Sequence, residues 1–256
     1  MRYLPVLLSL CAGPLLAQDY TAPREATVPV SRADRIEVIA RAGSLRIDGR
    51  SGARSVTVRG TARASTRRGL EEVKLIAEER NGTIHIEADI PENRDWNDDD
   101  REALDLVIEV PRDLPLDVED GSGDLEIRNV GPLQLSDGSG DAIIEHVGGS
   151  LRVKDGSGDL RITDVKGDVE VTDGSGPLEI RDVDGGVEIP QKGSGELRIT
   201  SVGKSVHVGG KGSGSVDVTH VGGDFTVDRI GTASVDYSDV KGKVDVPERR
   251  RGRRRG

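Results

Sequence analysis

The tripeptide Gly-Ser-Gly returns six times in the second half of this chain, starting at Gly121, Gly138, Gly156, Gly174, Gly193 and Gly212, with a degenerate seventh copy at Gly231-Thr232-Ala233. The intervals are 17 to 19 residues. A unit this short cannot bury its own apolar face, so its copies must stack to make a core, and a stack of such copies is a solenoid. Within one period, Asp155 to Thr172, the apolar residues are Leu160, Ile162, Val165, Val169 and Val171. Leu160-x-Ile162 and Val169-x-Val171 alternate with period two, the signature of short strands with one face turned inward. Later copies repeat the pattern through Leu178 to Ile189, Leu197 to Val208 and Val216 to Val227. The last offers Val235, Tyr237, Val240, Val244 and Val246, and the first regular one Leu125, Ile127, Val130, Leu133 and Leu135.

The Asp-Gly-Ser-Gly segments and the Val-x-Gly pairs, such as Lys166-Gly167 and Asp184-Gly185, supply turn residues that accept positive φ. Such turns also close hairpins, so an antiparallel β-meander is the alternative architecture. A meander of this length would leave one apolar face in need of a second layer, whereas a parallel coil closes the core with the same residues from every repeat. The expected fold is therefore all-β: a parallel β-solenoid of about seven regular 17–19-residue coils with a degenerate N-terminal cap. At ~4.8 Å per coil the regular part is a rod of roughly 33 Å.

Met1-Arg2, the apolar run Leu4 to Leu16 and the small residue Ala17 have the form of a secretory signal. The expected organisation is a signal peptide at 1–17, an N-terminal extension at 18–35, an irregular β cap at 36–120, regular repeats at 121–247 and an Arg-rich disordered tail at 248–256. The cap contains an acidic loop at 92–102. The apolar run is too short to span a bilayer. The single cysteine, Cys11, lies within the signal, so the mature chain has no thiol or disulfide chemistry. The expected location is the periplasm or the cell surface.

Charge is divided along the chain. Gln18 to Glu248 carries −17 and the tail +6, from Arg249, Arg250, Arg251, Arg253, Arg254 and Arg255. Such a tail is a candidate binding segment for anionic lipid or envelope polysaccharide phosphate, while the acidic body disfavours a nucleic-acid backbone. In the loop, Trp96 beside Asp98, Asp99 and Asp100 is a candidate recognition element, because exposed aromatics concentrate binding energy. The bland reading is a solvated insertion.

The residue before each Gly-Ser-Gly is Asp120, Asp137, Asp155 and Asp173, then Lys192 and Lys211. Asp124, Asp141 and Asp159 follow the same turns. Together these acids form an expected strip that either stays hydrated or recruits a cation, and a calcium reading takes Asp137, Asp141, Asp155 and Asp159 as ligands. The turns lack the G-G-x-G-x-D frame of calcium-binding β-rolls, and Asp suits them for backbone reasons alone. No cofactor is otherwise expected. His146 and His220 occupy equivalent positions outside the core. The sequence holds no Ser/His/Asp order, H-E-x-x-H or phosphate loop, so no enzyme is expected. A β-helix enzyme acting on acidic polysaccharide is the enzymatic alternative.

The signal followed by repeated D-G-S-G-D-L-x-I-x-x-V-x-G-x-V-x-V resembles the bacterial putative-adhesin family of β-strand-repeat proteins, a domain of unknown function. The resemblance covers roughly Ile36 to Val246. It implies an adhesin-like binding or structural scaffold of the envelope, with polysaccharide, anionic lipid or another surface protein as partner. It supplies no catalytic residues to carry over.

Overall fold

The computed structural model describes residues 19–91 and 102–247. β1 (Tyr20–Pro29), β2 (Arg35–Ile39), β3 (Leu45–Arg50) and β4 (Ser55–Ala64) precede a short helix, α1 (Arg67–Glu72). After it come β5 (Lys74–Arg80), β6 (Thr83–Asp89), β7 (Ala103–Pro111) and β8 (Leu116–Asp120). The repeats follow as β9 (Leu125–Arg128), β10 (Leu133–Asp137), β11 (Ala142–Val147), β12 (Leu151–Ser157), β13 (Leu160–Val165), β14 (Val169–Ser175), β15 (Leu178–Val183) and β16 (Val187–Ser194). They end with β17 (Leu197–Val202), β18 (Val206–Val208), β19 (Ser215–Val221), β20 (Phe225–Val227), β21 (Ser234–Val240) and β22 (Val244–Asp245).

Odd-numbered strands from β9 onward stack in one sheet, A, and even-numbered strands from β8 onward in the other, B; each sheet has 11 strands. Pairing along the repeats is parallel, Leu160 opposite Leu178 and Val169 opposite Val187. The solenoid is thus the architecture and the meander is excluded for the repeats. Both sheets turn their apolar residues into one core, in which Ile162, Ile180, Ile199 and Val218 form one fully buried column and Val153, Val171, Ile189 and Val208 another. At ~25 cal/mol per Å² of apolar surface, these continuous ladders are the main stabilising term.

Parallel stacking continues beyond the regular repeats. β3 lies between β9 and β7, and β2 between β8 and β6. The coil made by β2 and β3 is therefore neighbour to β8 and β9, although β4 to β7 come between them in the chain. Within the cap expected at 36–120, β2 and β3 thus belong to the regular parallel ladder, while β4 does not. The stack then ends in antiparallel pairs, β1 with β4, β4 with β7, and β5 with β6. Reversed strands close this end of the parallel stack. Thr66 caps α1 by accepting from the Gly69 amide at 3.0 Å. Arg24 of β1 binds the helix by donating to Leu70 O at 2.8 Å and Val73 O at 3.0 Å.

Two expectations need correction. Positive φ was assigned to the Val-x-Gly turns, but there it falls on the residue before the valine: Asn129, His146, Asp164, Asp182, Ser201, His220 and Asp239 all lie between +51° and +61°. Asn, Asp and His are the non-glycine residues that tolerate this conformation best, so the two exposed histidines have a backbone reason to be there. The last apolar set is not a closed core layer. Val235, Val240, Val244 and Val246 are only partly buried, and Tyr237 is 51% exposed although its ring packs 5.9 Å from Phe225.

Candidate functional site

The alternation that buries Val169 and Val171 runs on to Asp173, the next residue but one, and so turns that aspartate inward. The register makes this a column: Asp120, Asp137, Asp155 and Asp173 stand opposite one another in turn, and Asp173 stands opposite Lys192. Lys192 in turn bridges to Lys211. None of the six exceeds 8% exposure. The expected acidic strip therefore splits in two. Asp120, Asp137, Asp155 and Asp173 are buried inside, while Asp124, Asp141 and Asp159 remain outside. The four residues of the calcium reading, Asp137, Asp141, Asp155 and Asp159, thus lie on opposite sides of the wall. Among the described residues no three acidic, histidine or cysteine side chains form a group able to hold a metal.

Burial dominates the column's electrostatics. Removal from water pushes the Asp120 carboxyl up to about 7, with the Asp137 charge adding to the rise. It pushes Asp137 to about 6 and Asp155 to about 7, the latter also raised by Asp173 and Asp137 and eased by Lys192. Asp173 is raised by burial as well, against the pull of Lys192, whose ammonium is 2.8 Å from its Oδ2. Main-chain amides oppose the rise, Gly121 at Asp120, Ser139 and then Gly138 at Asp137, and Gly156 at Asp155, without overcoming burial. Burial also lowers the Lys211 ammonium.

These shifts fix a sign. A folded state whose carboxyls hold protons up to about 7 binds more protons than the unfolded chain between about 4 and 7, so stability falls as pH rises through that window. In the presence of a chelator, the melting temperature should decline from pH 4.5 to pH 7.5 and then level off. An Asp120→Asn/Asp137→Asn variant should show a clearly flatter profile by differential scanning calorimetry. An unchanged slope would mean that other groups set it.

A groove runs along the outside of sheet B. Its cavity of about 520 Å³ is floored by the residues next to the inward-facing ones, in register from Asp117 through Gln134, Arg152, Glu170 and Glu188 to His207. Turn residues Pro132, Ser150, Asp168 and Ser205 form one wall. Six coils contribute, a length of roughly 24 Å at ~4.8 Å per coil. Its polar groups are held in place. Arg152 donates to Glu170 at 2.8 and 3.0 Å. Asp168 accepts from Gly186 N at 2.8 Å and from Lys204 Nζ at 3.2 Å, which lowers its carboxyl. His207 Nδ1 is 2.7 Å from Thr226 Oγ1. A smaller cavity of about 240 Å³ lies on sheet A beside Asp141, Asp159, Arg161 and Glu179. A long, shallow, polar-floored trough with a repeat of one coil suits an extended ligand better than a compact one.

The Toastrack DUF4097 family model matches residues 34–255. The chain belongs to this family. Among solved structures the Toastrack chain is similar to a putative adhesin from Bacteroides fragilis at 13% identity and a TM-score of 0.52, over 90% of this chain and 99% of that one. It is also similar to a putative lipid binding protein from Parabacteroides distasonis at 16% identity and a TM-score of 0.41, over 88% and 97%. No curated protein matches. At 13% identity the first likeness shows a shared fold. Among the described residues of the Toastrack chain no helix is long and apolar enough to cross a membrane.

The other sequence-derived candidates, Trp96, Asp98, Asp99 and Asp100 in the acidic loop and Arg249, Arg250, Arg251, Arg253, Arg254 and Arg255 in the tail, lie outside the described residues. So do residues 1–17. The sheet B groove was not foreseen. Its signal was the outward position of each repeat, where Asp117, Gln134, Arg152, Glu170, Glu188 and His207 are of mixed type and only Glu170 and Glu188 repeat, so no recurring residue marks them as one surface.

Proposed function

We propose that this Toastrack chain is an exported, non-enzymatic, adhesin-like binding scaffold of the bacterial cell envelope, and that the sheet B groove takes an extended polysaccharide. The groove carries the reading. It offers one hydrogen-bonding side chain per coil, in the order acid, amide, arginine, acid, acid and histidine, suited to the hydroxyls of a glycan strand lying along the rod. Its acids, Asp117, Asp168, Glu170 and Glu188, disfavour an anionic lipid headgroup in the groove itself. The basic tail then serves as a charge tether to the envelope, and the N-terminal segment as the export signal. The putative-adhesin likeness supports binding in preference to turnover.

The test is binding of the full mature chain to isolated cell-wall polysaccharide, measured by sedimentation and calorimetry. An Arg152→Glu/Glu188→Lys variant, altered only on the outer face, should bind at least tenfold more weakly with an unchanged melting temperature. Equal binding by the variant would remove the groove from the reading. Release of new reducing ends during incubation would favour the polysaccharide-acting enzyme instead.

A further inference from the structure

The sheet B groove is charged as well as polar. Among the side chains that line it, Asp117, Asp168, Glu170 and Glu188 are acids and Arg152 is a base. Arg152 is committed to Glu170, and Lys204 reaches Asp168 at 3.2 Å. Four acids against these two cations leave two carboxylates in excess. The acids are gathered at one place. Glu170 and Glu188 stand directly opposite one another on adjacent strands, and Asp168 lies two residues before Glu170 on the same outward face. Like charges in that position repel each other, so this part of the groove attracts positive charge.

The chain carries such charge at its own end. Glu248 is followed by Arg249, Arg250, Arg251, Arg253, Arg254 and Arg255, a run of +6. The fold fixes where that run begins: β22, the last strand, belongs to sheet B, and Pro247 follows it two residues beyond Asp245. Back along the rod from β22, the outward row reads Asp245, Thr226, His207, Glu188 and Glu170. At the start of this path Lys243 is held by Asp245 at 3.6 Å, and Asp228 stands 3.3 Å from His207. Glu170 is four strands from β22, roughly 19 Å at ~4.8 Å per coil. The eight residues from Glu248 to Arg255 reach at most about 26 Å at ~3.3 Å per residue. They can lie over Glu188 and Glu170, and they end short of Asp117, seven strands from β22. Sheet A offers a poorer path, because its outward row from the same end reads Asp236, Asp217, Arg198, Glu179 and Arg161, with two arginines in the way.

We propose that Arg249 to Arg255 dock in the near half of the sheet B groove of their own chain, over Glu188, Glu170 and Asp168, and cover it until an anionic surface draws them away. Each exposed ion pair contributes only ~0.2–1 kcal/mol, but a segment joined to the rod meets the groove at an effective concentration of about millimolar. Arginine's planar fork also matches a carboxylate better than a lysine ammonium does. That the docked segment excludes a glycan rests on the polysaccharide reading above, whereas the docking itself rests on charge and reach. Envelope phosphate and the groove then compete for the same arginines, so attachment to the envelope would open the groove.

The arginines are trypsin sites, so docking is read as protection. The full mature chain, with no polysaccharide present, is treated with trypsin, and loss of the run is followed by intact mass relative to a free peptide of residues 248–256 in the same buffer. At low salt the run in the parent should be cut at least about fivefold more slowly than in a Glu170→Gln/Glu188→Gln variant. Protection should vanish in ~1 M salt, where the Debye length is ~3 Å. An Asp217→Asn/Asp236→Asn variant, which removes the same charge from sheet A near the same end of the rod, should keep its protection. The proposal fails if the parent is cut as fast as the groove variant, if the sheet A variant loses protection equally, or if protection survives high salt. Protection that grows with protein concentration also overturns it, because the arginines would then occupy the groove of a second copy. Failure of the polysaccharide reading would appear in the binding assay described above and would leave this protection unchanged.

Discussion

Gly158→Ala should abolish stable folding. A methyl group at this position would lie 1.8 Å from Gly140 O, inside a main-chain atom that cannot move without disturbing the next coil, and the φ of +138° is one that alanine does not adopt. The clash is repeated along the column, since a Cβ on Gly140 would meet Gly123 O at 1.9 Å and one on Gly176 would meet Gly158 O at 1.8 Å. Relief requires parting two stacked turns and breaking the ladder bonds on either side of them. A cost of about 4 kcal/mol or more follows, the range reserved for buried backbone and packing failures. Gly52→Ala is the control. Gly52 also has positive φ, at +70°, but nothing lies within 4 Å of its missing Cβ, so only the conformational term of about 1 kcal/mol remains. Urea denaturation followed by circular dichroism separates the two. Near-equal midpoints would show that the turns can slide apart.

Lys192→Met is expected to be almost as damaging at pH 8. Lys192 is fully buried, and its ammonium group neutralises Asp173, which is 1% exposed. Removing one member of a buried ion pair leaves the other uncompensated, at a cost of about 3 to 5 kcal/mol. Two comparisons identify the cause. Adding Asp173→Asn to Lys192→Met should restore most of the loss, because the stranded charge is gone. Lowering the pH to 5 should narrow the gap between the single variant and the parent, since burial raises the Asp173 carboxyl and protonation then removes the charge without mutation. A gap that is the same at both pH values would assign the loss to the broken bonds to Gly176 O and Ser194 O.

Much of this architecture is legible in the sequence, because similar residues recur at each structural position. Leu160, Leu178 and Leu197 align by eye and turn out to be paired neighbours. The order of the N-terminal coils was not legible. β2 pairs with β8 across more than seventy residues of intervening chain, and nothing in the alternation of Ile36 and Val38 distinguishes that partner from another strand of the same pattern. The interior acids were misplaced for a different reason. Val169-x-Val171-x-Asp173 keeps strict period two, but a carboxylate at the third position reads as the end of the buried face when hydrophobicity alone is counted. Periodicity carried the answer, and residue type concealed it. The groove shows the reverse case: a geometric column whose members are chemically unlike, visible only once the register is known.

The ladder bonds of both sheets run along the rod, from each coil to the next, with Leu125 N donating to Asp141 O at 2.9 Å and Leu160 N to Pro177 O at 2.9 Å. A pull between the two ends therefore loads these bonds lengthwise and opens them one coil after another, in place of shearing a whole sheet at once. Each opened coil of 18 residues, the spacing from Leu160 to Leu178, would pay out roughly 60 Å of chain at ~3.4 Å per residue. A rod built this way yields to tension in short instalments and can rewind from the coils that remain, which is the mechanical behaviour of a shock absorber.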